Sequence, residues 1–242
     1  MASVRPVKRR LISALLLAFI LAMSAGATAR QSMTEAQTFS AAPTAQDVVN
    51  NLITRNAALN SYVARIDIRL RTGIPFLNPT FEGLAYFKQP NSHEVVFTKS
   101  PSYAKGFEKL YADINEPAVW DQRYFYSLEG ERVYNGRNDL VLRLVTRIRG
   151  ELNHQDVLVD PRRWVIDEIV YYYETGGRIT VEHVYGEEAG FAVLTEEHAL
   201  IAMPPFPHAH ADAHFTHYKI NVAIDDSIFT EKQTKNIGVD GK

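Results

Sequence analysis

The residues best suited to chemistry lie in one short run, Pro207-His208-Ala209-His210-Ala211-Asp212-Ala213-His214-Phe215-Thr216-His217. In an extended backbone His208, His210, Asp212 and His214 alternate onto one face. Neutral imidazoles and a carboxylate are ligands for Zn, Cu or Ni. Same-face neighbours on a strand are about 6.6 to 7 Å apart, so two such side chains can converge on one ion and four in a row cannot. The alternative is an Ala-spaced, solvated loop behind the Pro204-Pro205-Phe206-Pro207 break. A His-x-His-x-Asp-His hydrolase box would need His where Ala213 stands.

Other constellations carry less. Ser102 and Lys105 form a Ser-x-x-Lys pair, but the companion Ser-Asp-Asn and Lys-Thr-Gly boxes are missing. Glu187-Glu188 and Glu196-Glu197 could be read as paired carboxylates. Adjacent strand residues point to opposite faces, which favours a solvated hairpin. Tyr171-Tyr172-Tyr173 could stack on a ring, although tyrosine is also an ordinary strand residue. There is no P-loop, Gly-x-Ser-x-Gly, Gly-x-Gly-x-x-Gly or His-Glu-x-x-His. The expectation is a protein that is not an enzyme and uses no cofactor.

The elements that position these residues follow from the hydrophobic pattern. Residues 1–29 read as a secretory signal peptide: Arg5, Lys8, Arg9 and Arg10, then an apolar run from Leu11 to Met23, then Ala27-Thr28-Ala29. This places the protein in the periplasm or outside the cell. With no cysteine, there is no lipidated N-terminus, no disulfide and no thiol chemistry. Removing the four cations of the head from the 26 Lys and Arg leaves 22 against 28 Asp and Glu, a net charge of −6. Such a surface is a poor partner for nucleic acid, which is bound through Lys and Arg contacts to phosphate. Residues 30–44 read as a flexible segment, 45–232 as one domain and 233–242 as a disordered tail.

Thr44 to Ser61 reads as an amphipathic helix with Thr44 as N-cap and Asp47 in the first turn. Ser100 to Ile114 is a weaker helical segment. The rest reads as about ten strands: 62–70, 81–88, 94–98, 119–128, 140–148, 156–159, 164–174, 179–185, 191–203 and 215–224. Turn residues separate them, among them Asn135-Gly136 and Gly176-Gly177. The fold class is therefore mainly β, an antiparallel sandwich or barrel with a leading helix.

Three segments add a resemblance. Phe81-Glu82-Gly83-Leu84-Ala85-Tyr86-Phe87-Lys88-Gln89-Pro90-Asn91 comes first. Val157-Leu158-Val159-Asp160-Pro161-Arg162-Arg163-Trp164 follows, leading through a strand to Gly176-Gly177-Arg178-Ile179-Thr180-Val181. The third is Tyr218 to Phe229. In this order, behind a signal peptide and a helix, they resemble the LolA/LolB-like superfamily of bacterial envelope proteins over residues 45 to 232. The resemblance implies a strongly curved antiparallel sheet forming an incomplete barrel, its open side plugged or covered by the helix. It also implies an apolar hollow that holds a lipid or the acyl chain of a lipoprotein, in a monomeric carrier or sensor that meets a membrane protein of the envelope. Absence of cysteine excludes the lipidated acceptor branch. The expected lining is Ile66, Ile68, Leu70, Phe97, Leu140, Leu142 and Leu144, with a closed dry core as the competing reading. The metal-binding alternative rests on His208, His210, Asp212 and His214.

Overall fold

The computed structural model describes residues 42–90, 92–101, 117–204 and 206–229. Residues 1–29, read above as a signal peptide, most of residues 30–44, the Ser100 to Ile114 segment from Ser102 onward (with Lys105) and residues 230–242 lie outside the described residues.

Helix α1 (Ala45–Thr54) begins with a capping box: Asp47 N–H donates to Thr44 Oγ1 at 3.2 Å and Thr44 N–H donates to Asp47 Oδ2 at 2.9 Å. The helix ends at Thr54, seven residues before the Ser61 that the sequence reading expects. Thr54 Oγ1 donates back to Asn50 O at 2.8 Å, and the Asn56 amide donates to Ala192 O at 2.7 Å. Side-chain bonds of this kind compete with helix propagation. Leu59 of the predicted stripe is still buried, from the turn that follows the helix.

Ten strands follow: β1 (Ser61–Arg71), β2 (Thr80–Lys88), β3 (Ser92–Lys99), β4 (Tyr124–Tyr134), β5 (Arg137–Thr146), β6 (Leu152–Asp160), β7 (Val165–Tyr173), β8 (Arg178–Glu188), β9 (Phe191–Met203) and β10 (Phe206–Ile220). They form one antiparallel sheet in the order β3-β2-β1-β10-β9-β8-β7-β6-β5-β4. All neighbours are sequence neighbours except β1 and β10, which pair inside the sheet as the third and fourth strands of the ten. Edge strands β3 and β4 do not pair, so the barrel is incomplete, as the fold class predicts. Asn135 (φ 48) and Gly136 (φ 77) form the two-residue β4–β5 turn that an Asn-Gly pair favours.

Several strand boundaries differ from the sequence reading, and two strand starts differ most. Val119 to Arg123 is not the start of a strand: a 3₁₀ turn (Pro117–Val119) runs into the short helix α2 (Trp120–Arg123), which drives Trp120 into the core with no exposure. Strand β10 starts at Phe206, not at Phe215, so the histidine-rich run is a central strand and not a loop. Among the described residues no helix is long and apolar enough to cross a membrane.

Candidate functional site

Directly opposed residues in an antiparallel ladder share a face. The registers therefore assemble lateral rows across the inner face. One row runs Phe81, Ile68, Ala213, Glu197, His183 from β2 to β8. The next runs Leu70, Ala211, Ala199, Val181, Ile169 from β1 to β7. A third runs Ala209, Ile201, Ile179, Tyr171. On the other side of the first, Phe97, Gly83, Ile66 and Phe215 share a level. Gly83 is required there, because a Cβ would lie 2.6 Å from Val96 O.

At the centre of these rows the floor is alanine. Ala209, Ala211 and Ala213 are at most 3% exposed, and Ala199 adjoins them on β9. Larger apolar side chains rise on both sides: Ile66, Ile68, Leu70 and Phe81 from β1 and β2, Ile179 and Ile201 from β8 and β9. Phe97, Tyr171, Tyr173, Leu194, Met203 and Tyr218 pack against this cluster and stay half-buried. Small side chains at these positions and larger ones beside them make an alanine-floored stretch of the inner face, buried in one cluster.

Two groups in it are polar. His183 and Glu197 meet with Nε2 and Oε1 3.2 Å apart, their side chains 10% and 21% exposed. His183 Nδ1 faces Ile166 O at 3.1 Å. Tyr218 donates to Leu194 O, and burial, with the Glu197 charge adding to it, drives its phenol pKa up.

The other half of the inner face is filled. Val48 and Val49 of α1, Trp120, Leu142, Leu144, Val157 and Val159 are all fully buried in one cluster with Tyr124, Leu140, Ile166 and Ile169. The helix is pinned across it: the Tyr126 hydroxyl donates to Gln46 Oε1 at 2.6 Å, and Arg55 Nε donates to Arg163 O at 2.8 Å. Asp160 builds the turn that offers that carbonyl. Its carboxylate accepts from Arg162 N–H at 2.9 Å and Arg163 Nε at 2.8 Å, while its carbonyl accepts from Trp164 N–H at 2.8 Å. This turn is the Asp160-Pro161-Arg162-Arg163-Trp164 segment of the sequence.

Behind that half the outer face carries a buried ionic cluster. Asp139, Asp160 and Asp167 are at most 3% exposed and share Arg137 and Arg163. Burial raises the Asp139 pKa against the pull of Arg137, and its Oδ2 has no partner. Burial also pushes on Asp160, but its bonds to Arg163 and Arg162 prevail and hold it below the usual range.

Behind the alanine floor the outer face carries the histidines. His208, His210, Asp212 and His214 do share one face of β10, opposite the alanines. Among the described residues no three His, Asp or Glu side chains are grouped to hold a metal ion. His208 and His214 are about 20 Å apart at strand rise. The Asp212 carboxylate is already occupied, by Arg71 at 2.6 Å and by His198 Nδ1 at 2.9 Å. Burial pushes Asp212 up, but the bond from His198 and the Arg71 charge win and lower its pKa. The bond to Asp212, helped by Glu196, raises that of His198 against the effect of burial. A cleft of about 300 Å³ at this end of β1, lined by Arg69, Leu70, Arg71, Asn78, Pro79, Thr80, Asp212 and His214, is charged and shares only Leu70 with the expected apolar lining.

Solved structures share this arrangement. An outer membrane lipoprotein-sorting protein domain from Vibrio parahaemolyticus superposes with a TM-score of 0.61 at 8% identity, covering 78% of this chain and 97% of that one. A LolA superfamily protein from Nitrosomonas europaea gives 0.60 at 14% identity, covering 79% of this chain and 100% of that one. A DUF1329 family protein from Desulfovibrio piger gives 0.59 at 12% identity, covering 77% of this chain and 96% of that one. The chain has the LolA-like fold. No protein-family model matches it, and no curated protein matches it in sequence.

The seven apolar residues expected to line the hollow fall into two groups in this LolA-like sheet. Ile66, Ile68 and Leu70 belong to the alanine-floored cluster, with Phe97 packed against it. Leu140, Leu142 and Leu144 lie in the other cluster, with α1 over them. Sequence reasoning missed three features: the alanine floor, Glu197 and His183. The signal for the floor was present in the alternation of Ala209, Ala211 and Ala213, hidden by attention to the histidines between them. Glu196 and Glu197 are not in a hairpin turn but inside β9, Glu196 outward on His198 and Glu197 inward on His183.

Proposed function

We propose that this is an exported envelope protein, periplasmic or secreted after cleavage of residues 1–29, that binds a lipid or the acyl chain of a lipoprotein as a carrier or sensor. The observation that carries the reading is the alanine floor of the inner face between β1 and β9, flanked by Ile66, Ile68, Leu70, Ile179 and Ile201. The LolA-like fold supports it. Burying a methylene contributes about 0.8 kcal/mol, so a palmitoyl-length chain would supply roughly 12 kcal/mol before losses, with no catalytic group required. The chain enters by displacing half-buried rim side chains, of which Met203 is the most adaptable. Ile66, Ile68, Leu70 and Phe97 are the lining residues in this reading, and Leu140, Leu142 and Leu144 support α1 from below. The domain acts as a monomer and passes its cargo to a membrane protein of the envelope.

Two measurements test this. Mass spectrometry of gently purified protein should find co-purified acyl lipid. The neutral apolar fluorophore N-phenyl-1-naphthylamine should bind with enhanced emission and be displaced by neutral acyl lipids. Lipid-free protein that also leaves the fluorophore dark would sink the proposal.

A further inference from the structure

Among the described residues the inner-face rows across β1, β10 and β9 carry one charged side chain. Glu197 stands in the same row as Ile68 and Ala213, one step from Ala199 and Ala211. A carboxylate among buried apolar groups is costly unless it is compensated. Its compensation here is partial. His183 takes one oxygen, at 3.2 Å, and is itself committed through its other nitrogen to Ile166 O. The second Glu197 oxygen has no hydrogen-bond partner among the described residues, and the side chain keeps 21% exposure. It is an acceptor at the edge of this alanine-floored stretch, the trough of the acyl-binding reading, with no Lys or Arg paired to it among the described residues.

We propose that Glu197 receives the polar end of the bound amphiphile and selects one that donates a hydrogen bond. The geometry rests on the acyl-binding reading of the same trough. The ligand class is a neutral acyl lipid whose head presents O–H or N–H, such as an acylglycerol or an acyl amide. A free fatty acid is disfavoured, because its carboxylate would meet that of Glu197 in a site of low dielectric. His183 is a positioning residue that holds the carboxylate toward the trough.

The test is displacement of N-phenyl-1-naphthylamine from the purified protein by monolauroylglycerol and by laurate, each below its micelle concentration, at pH 7.5. The glycerol ester should displace the fluorophore at a concentration at least about tenfold lower than laurate does, the scale of one hydrogen bond to a charged group. Glu197→Gln should admit laurate and shrink the ratio to within about threefold, each displacement being referred to the fluorophore affinity measured for the same variant. Glu197→Asp should keep the ratio. Glu197→Ala removes the charge without placing an amide in the trough, and is read in the same way if the glutamine variant does not fold. Equal displacement by laurate and the ester in the wild-type protein overturns the assignment, as does a ratio unchanged in both charge-removing variants. A protein that never binds the fluorophore overturns the acyl-site reading itself. Fluorophore binding with no displacement by either lipid overturns only the role of Glu197.

Discussion

Beneath α1 the inner face is filled with large side chains; between β1 and β9 it is floored with alanine. The same strand alternation produces both. On β5 the inward positions are Leu140, Leu142 and Leu144, whereas on β10 they are Ala209, Ala211 and Ala213. The outer faces differ in the opposite sense. Behind the filled half lies a buried cluster of Asp139, Asp160, Asp167, Arg137 and Arg163. Behind the alanine half lie half-exposed pairs such as His198 with Asp212 and Glu196. The proposed division of labour follows: the helix-capped half holds the fold, and the alanine-floored half takes the ligand.

The largest expected effect is at the filled end. Trp120→Ala should cost about 4 kcal/mol in urea unfolding, as for other large-to-small core changes, and leave fluorophore affinity of the folded protein unchanged. Equal loss of affinity would merge the two halves into one site. Arg137→Met should cost about 3 kcal/mol, because it strands Asp139 in a buried site and leaves Asp160 and Asp167 to Arg163 alone. A cost near zero would mean that Arg137 does not hold these carboxylates in the folded protein.

Ala211→Leu sharpens the contrast. If the alanine floor is a binding trough, fluorophore affinity should fall about tenfold with stability within about 1 kcal/mol of wild type. If it is a tightly packed core, the added carbons should cost about 1 to 3 kcal/mol instead.

The smallest effect is at the exposed histidine pair. The His198 pKa is raised in the folded protein, so its contribution is present below the ordinary histidine pKa and is lost as pH rises through the folded value. His198→Gln should therefore lower Tm more at pH 6 than at pH 9. The pair is about 40% exposed and its contribution should stay under about 1 kcal/mol. A difference that grows with pH would contradict the assigned ion pairs.

Most strands were legible because a period of two with Val, Ile, Thr and Tyr survives without tertiary help, as in β1 and β9. The Asn135-Gly136 turn was legible because its backbone demands those residues. The start of β10 was not. Ala and His have little strand preference, and only pairing with β1 on one side and β9 on the other makes Phe206 to His214 extended. The end of α1 was also hidden, because it depends on Asn56 reaching Ala192, 136 residues away.

The chain by itself determined the alternation of inward and outward side chains, the cap of the leading helix and the shortage of catalytic motifs, since each depends on residues a few positions apart. Only the tertiary structure decided that β1 and β10 pair inside the sheet, that alanines of one strand lie between the isoleucines of others, and that Glu197 faces in while Glu196 faces out. Those outcomes depend on register between strands far apart in sequence, where a shift of one residue would turn every side chain to the opposite face.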